Sequence, residues 1–152
     1  MSQRTRPGGQ DASLGVRDPR QRLGEAGEAL AAATLAEAGL TILERRFRCR
    51  AGEIDLVARD GGVIVFAEVK TRRGPAFGSP AEAVTARKRE HLVRAAGVWL
   101  AALGGEPPPC RFDVVEVLPA RDGRLEARHV RDAFRLGLWA DHAPAGRRRR
   151  RS

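Results

Sequence analysis

Cysteine and lysine are scarce in this 152-residue sequence, and no long apolar run is present. Two cysteines, Cys49 and Cys110, cannot make a disulfide framework or a four-thiolate zinc site. The longest apolar-rich stretch without a charge, Ala95–Gly105, has 11 residues. A membrane-spanning helix needs roughly 20, so no membrane partner is expected. The first residues carry arginine but no apolar segment of the secretory type, which makes a cytoplasmic protein the expectation. His91, His129 and His142 show no ligand spacing with one another or with the cysteines, and each reads as a surface or capping residue. Gly74–Gly78 has neither Walker spacing nor a G-x-G-x-x-G pattern, so a phosphate-cradling nucleotide loop is not supported. No internal repeat is visible.

Arginine is what the chain has in excess. Of 28 basic residues only Lys70 and Lys88 are lysine, and the net charge is +9. The excess sits at the two ends: residues 1–22 hold five Arg against two Asp, and Arg147–Arg151 form an uninterrupted run. Three parts follow: a disordered basic arm (1–21), a folded domain (22–140) and a disordered Arg-rich tail (141–152). Terminal basic arms of this kind suit a nucleic-acid partner or simple solubility.

Within the folded part, Leu23–Ala38 is alanine-rich and stops at Gly39, which predicts a helix. Its inward arc is Leu23, Gly27, Leu30, Ala31 and Leu35. Leu40–Phe47, Ile54–Ala58 and Val63–Val69 read as strands, the last two joined across Asp60-Gly61-Gly62 as a hairpin. Ser79-Pro80 looks like a helix start, and Thr85 caps a longer helix with Leu92, Ala96, Trp99 and Leu103 on one stripe. Phe112–Leu118 is a further strand, and Leu125–Val130 follows the Asp122-Gly123 turn as another candidate. The order helix, three strands, helix, one or two strands predicts an α/β fold with a mixed sheet flanked by helices.

The chemistry concentrates in Gly52-Glu53-Ile54-Asp55-Leu56-Val57-Ala58 and Phe66-Ala67-Glu68-Val69-Lys70. A Gly61-Gly62 loop places Asp55 opposite Glu68 and Glu53 opposite Lys70. Those four then share a face with Val57, Ile64 and Phe66, while Ile54, Leu56, Ala67 and Val69 share the other. A three-residue loop would break the arrangement. Opposed carboxylates repel, and a divalent cation relieves that; Mg²⁺ needs only one or two carboxylates besides water and phosphate. Lys70 can hold or help deprotonate an attacking water. The other reading is an ordinary solvent-facing ladder, with Lys70 pairing across to Glu53.

Glu28 sits at the edge of the first helix's inward arc and is a candidate third carboxylate, or equally a solvated helix residue. The second helix opens on Arg87-Lys88-Arg89, cations where the helix dipole prefers anions. A docked phosphate would make that favourable, and Arg72 and Arg73 extend the same patch. A solvated basic face is the plain alternative.

These residues, with Gly24-Glu25-Ala26-Gly27-Glu28, Leu43-Glu44-Arg45-Arg46-Phe47-Arg48, Phe77-Gly78-Ser79-Pro80, Glu82-Ala83-Val84 and Arg111-Phe112-Asp113-Val114-Val115, closely resemble the YraN family of small bacterial proteins. The resemblance spans about residues 22–135. That family is similar to PD-(D/E)xK nucleases, including archaeal Holliday-junction resolvases. The resemblance implies a restriction-endonuclease-like αβββαβ core with its site on the central hairpin. It also implies catalytic roles for Asp55, Glu68, Lys70 and Glu28, and Mg²⁺ or Mn²⁺ held by Asp55, Glu68 and the Val69 carbonyl. Ile54 stands at the motif's proline position, a departure that many members of the wider superfamily share and that does not disable the motif. The expected function is a metal-dependent endonuclease acting on DNA, branched or structured DNA included. Arg72, Arg73, Arg87, Lys88 and Arg89 would contact the nucleic-acid backbone. DNA is expected ahead of RNA, and a homodimer would suit a junction cutter. The alternative is a non-catalytic nucleic-acid-binding module of the same fold.

Overall fold

Asp18-Pro19 opens the first helix: Asp18 Oδ1 accepts from the Arg20 N–H at 3.0 Å, and proline takes a position where its missing N–H costs nothing. A computed structural model describes residues 18–72 and 84–135. Its elements are α1 (Pro19–Glu37), β1 (Thr41–Cys49), β2 (Gly52–Asp60), β3 (Val63–Thr71), α2 (Ala86–Leu103), β4 (Cys110–Pro119) and β5 (Leu125–Phe134). The expected αβββαβ core is present, with both closing strands formed. The helix begins before Leu23 because the cap, not the first apolar residue, sets its start. The segment assigned to the basic arm therefore ends inside α1. Arg73, the Gly74–Gly78 loop, the Ser79-Pro80 helix start and the Arg-rich tail lie outside the described residues.

The sheet order is β1-β2-β3-β4-β5. Neighbours are antiparallel except β3 and β4, which run parallel with α2 lying between them in the chain. The β2–β3 turn is the two-residue Gly61-Gly62: Asp60 pairs with Val63, and Gly61 has φ 58°.

Each sheet face has its own helix. On one, α1 buries Gly27, Ala31, Ala32 and Leu35 against Leu56, Ala58, Val65, Ala67, Val115 and Val117. Small residues let it lie close, and a Cβ on Gly27 would collide with Thr71 Oγ1. On the other, α2 buries Leu92, Ala95, Ala96 and Leu100 against Val57, Ile64, Phe66, Phe112, Val114 and Phe134. Leu103, expected on that stripe, is the last residue of the helix and is 54% exposed; Leu100 fills the core instead. Among the described residues, no helix is long and apolar enough to cross a membrane.

Candidate functional site

The β2–β3 ladder ends at Leu56–Ala67. Beyond that pair β2 stays bonded to β1 through Phe47–Ile54, Arg48–Glu53 and Cys49–Gly52. Meanwhile β3 stays bonded to β4 from Glu68–Val114 to Thr71–Val117. The sheet forks. Asp55 and Glu68 lie just past the last ladder pair, so the expected ladder continuation through Asp55–Glu68 and Glu53–Lys70 is not made. Asp55 instead turns its side chain into the fork, where Oδ2 accepts from the Val69 N–H at 2.8 Å.

Strict side-chain alternation also fails here. Ile54 packs with Val57 on the α2 side, although Leu56 packs on the α1 side. Across from Asp55, β1 carries Arg46 between the Arg45–Leu56 and Phe47–Ile54 pairs, and Arg46 has φ 52°. Long side chains seldom adopt that left-handed backbone. The shared-face expectation holds for Glu68 with Ile64 and Phe66, but Ile54 has left the face assigned to it.

Glu68 is buried, at 4% exposure. Its Oε1 lies 3.7 Å from Lys70 Nζ and 3.4 Å from Lys88 Nζ. Its Oε2 has no hydrogen-bond partner. Lys70 therefore leans on its own strand's glutamate, and Glu53 pairs with Arg48 at 3.5 Å. Lys88 reaches Glu68 from the first turn of α2, where its N–H donates to Thr85 Oγ1 at 3.2 Å. Burial, then the neighbouring Glu68 charge, pushes the Asp55 carboxyl up from 3.8 to about 7 against the opposing Val69 N–H. A hydrogen bond from protonated Asp55 to Glu68, and then the Glu28 charge, add to the rise, so the Glu68 oxygen lacks a donor only once Asp55 ionises. An acid pair of this kind shares a proton or takes a cation.

Glu28 reaches the region from α1, but its carboxylate accepts from Arg46 Nε at 2.6 Å. Among the described residues no three of His, Cys, Asp or Glu are grouped to cage a metal unaided. Two carboxylates, water and substrate phosphate still make a normal Mg²⁺ environment, and the orphaned Glu68 oxygen beside Asp55 fits a cation.

Of the expected backbone-binding cations, Arg87 is exposed on α2. Arg89 is drawn into the fold: its Nε donates to the Val84 carbonyl at 3.0 Å, and its guanidinium lies 5.1 Å over the Phe134 ring. Arg72 continues the β3–β4 ladder, N–H to the Val117 carbonyl at 2.9 Å, and its Nε is 3.4 Å from Glu116 Oε1.

Sequence reasoning missed Glu116. It is 2% exposed, sits beside Lys70 in the parallel register, and its Oε1 has no hydrogen-bond partner. Alternation along Phe112, Val114 and Glu116 was the available signal; the parallel register that brings it beside Lys70 was not.

A second acid cluster shows what a satisfied buried carboxylate looks like. Asp113, fully buried, accepts from Arg111 Nε at 3.0 Å and the Asp132 N–H at 2.9 Å, with His129 Nε2 at 2.7 Å. Arg111 continues to Asp60 at 2.8 Å. Burial pushes the Asp113 carboxyl up, but His129, Arg111 and the Asp132 N–H outweigh it and hold it below the usual range. His129 is thus a half-buried partner of Asp113, not a free surface residue. Its partners come from the register of β4 and β5, which no local spacing shows. Asp113 is tied down on all sides; Glu68 and Glu116 are not.

The family model described as "Uncharacterised protein family UPF0102" matches residues 27–117. A UPF0102 protein of Symbiobacterium thermophilum is 60% identical over 114 residues, covering 75% of this chain and 97% of its own length. One from Streptomyces griseus is 53% identical over 113 residues, covering 74% and 95%. One from Geotalea daltonii is 45% identical over 120 residues, covering 79% and 94%. The resemblance read from the motifs is to this same family.

Proposed function

The chain belongs to the uncharacterised protein family UPF0102, and from that premise we propose that it is a metal-dependent endonuclease hydrolysing phosphodiester bonds in DNA, branched or structured DNA included. One observation carries the reading. A buried Glu68 with one unpartnered oxygen lies beside half-buried Asp55 in a strand fork, and the chain's only two lysines meet on the other Glu68 oxygen. A purely structural acid would be expected to look like Asp113, with its acceptors filled.

Asp55, Glu68 and the Val69 carbonyl would hold Mg²⁺ or Mn²⁺. When bound, such a cation supplies Lewis acidity toward water and offsets charge building on the phosphate. Lys70, half-buried, its ammonium carrying three rotatable donors, orients the attacking water and stabilises the hydroxide left when that water's proton passes to solvent. The Val69 N–H fixes the Asp55 carboxylate, so the acid is already positioned before substrate arrives. Glu28, held by Arg46, adds negative potential at Asp55. Arg87 and the arginines of the two arms supply sequence-independent, salt-sensitive contacts to the phosphate backbone.

The test offers labelled duplex, single-stranded and four-way-junction DNA with Mg²⁺, Mn²⁺ or EDTA. Cation-dependent cleavage that disappears in Asp55→Asn and Lys70→Ala while binding persists supports the reading. Salt-dependent binding without cuts in any cation makes the protein a non-catalytic module instead.

A further inference from the structure

We infer that Lys88, together with Lys70, stands in for the divalent cation at Glu68, so that cation binding and nucleic-acid binding are coupled through Lys88. The inference rests on the nuclease reading above and adds an order of events to it. Two ammonium groups lie within 4 Å of one carboxylate oxygen, at 3.4 and 3.7 Å. Neither is a hydrogen-bond distance. Arginine pairs elsewhere close to 2.6 Å for Arg46–Glu28 and 2.8 Å for Arg111–Asp60, although Arg48–Glu53 and Arg72–Glu116 stay as open as the lysine contacts, at 3.5 and 3.4 Å. The lysines neutralise Glu68 without satisfying it.

The residue types sharpen the point. Twenty-six of the 28 basic side chains are arginine, yet both exceptions converge here. A guanidinium is a planar fork that locks onto a carboxylate in two bonds, whereas an ammonium on a flexible stem lets go and re-aims. Lysine is what a releasable partner requires. Lys88 is also placed to re-aim usefully. It stands in the first turn of α2, its side chain is 40% exposed, and the helix terminus around it carries no acidic residue. Once freed from Glu68, its charge and the helix N-terminal dipole both face an incoming phosphate.

A cation at the acid pair and an ammonium at Glu68 compete for the same negative charge. The cation's arrival weakens the hold on Lys88, and the released ammonium strengthens binding of the phosphate. By reciprocity, DNA that engages Lys88 must tighten the cation. Removing the Lys88 charge should therefore tighten the cation alone and abolish the coupling.

The experiment titrates full-length protein with Mn²⁺ by calorimetry, comparing wild type, Lys88→Gln and Lys88→Arg. It then measures affinity for a nuclease-resistant phosphorothioate duplex by fluorescence anisotropy, in EDTA and in Mn²⁺. Lys88→Gln is expected to bind Mn²⁺ about fivefold more tightly or better, within the usual range of site-to-site coupling. It should also lose the gain in duplex affinity that Mn²⁺ gives the wild type, whereas Lys88→Arg keeps Mn²⁺ affinity at or below the wild-type level. Wild type that binds Mn²⁺, with Lys88→Gln no tighter, overturns this inference and leaves the nuclease reading standing. Wild type that binds no Mn²⁺ overturns both.

Discussion

Replacing Asp55 by asparagine should stabilise the metal-free protein at alkaline pH. The substituted amide cannot ionise, yet its oxygen can still accept from the Val69 N–H that Asp55 accepts at 2.8 Å. In the native chain Asp55 keeps its proton until about pH 7, because burial and the Glu68 charge disfavour the anion. In the unfolded chain it ionises near 4. Between those values the folded state holds the extra proton, so wild-type stability falls as pH rises through the window. A rise from 3.8 to about 7 corresponds, at roughly 1.4 kcal/mol per unit, to an upper bound on the order of 4 kcal/mol. Half of that would raise the Tm of a domain this size by roughly 5–10 °C. The assay is thermal unfolding in EDTA from pH 4 to pH 9. Asp55→Asn should match wild type near pH 4, gain steadily, and level off above pH 7. A difference that is flat with pH, or a wild type that is the more stable at pH 8.5, refutes the reasoning that Asp55 and Glu68 are a strained acid pair.

Gly27→Ala should cost about 1–3 kcal/mol through overpacking, since the added methyl meets Thr71 Oγ1. Thr71→Ala in the same chain should recover part of it in urea unfolding, and full additivity of the two effects would contradict the contact. Asp113→Ala should cost about 3–5 kcal/mol, because it leaves Arg111 and His129 facing an emptied, buried position; a loss below 1 kcal/mol would show the network to be dispensable. Removing residues 1–17 and 143–152 deletes three arginines at one end and five at the other. It should flatten the dependence of duplex affinity on salt, by about 0.9 in log–log slope for each phosphate the arms no longer neutralise, with the thermal unfolding of the remaining domain still cooperative. An unaltered slope would make the arms bystanders.

Much of the fold was legible because its signals are local. Gly39 and Gly61-Gly62 are punctuation that depends on neighbouring residues alone, and the two-residue turn fixed the ladder from Asp60–Val63 to Leu56–Ala67. Thr85 capped α2 as its hydroxyl chemistry requires. What escaped was non-local. The fork at Asp55 lies where the β2–β3 ladder stops, beside a left-handed backbone at Arg46 that an arginine does not advertise. Glu116 meets Lys70's neighbourhood only through a parallel register between β3 and β4. His129 finds Asp113 across two paired strands. Lys88 was singled out by its rarity and its place at a helix start, but its partner, Glu68, emerged only with α2 packed on the sheet. Local chemistry named the acids and the lysines, and tertiary register decided which of them touch.

Anomalous scattering from crystals soaked in Mn²⁺ above pH 7 tests the central claim most directly. A cation should appear in the fork, bonded to Asp55, Glu68 and the Val69 carbonyl, with Lys88 drawn away from Glu68. No site in the fork, or Mn²⁺ bound only to carboxylates elsewhere, would contradict it.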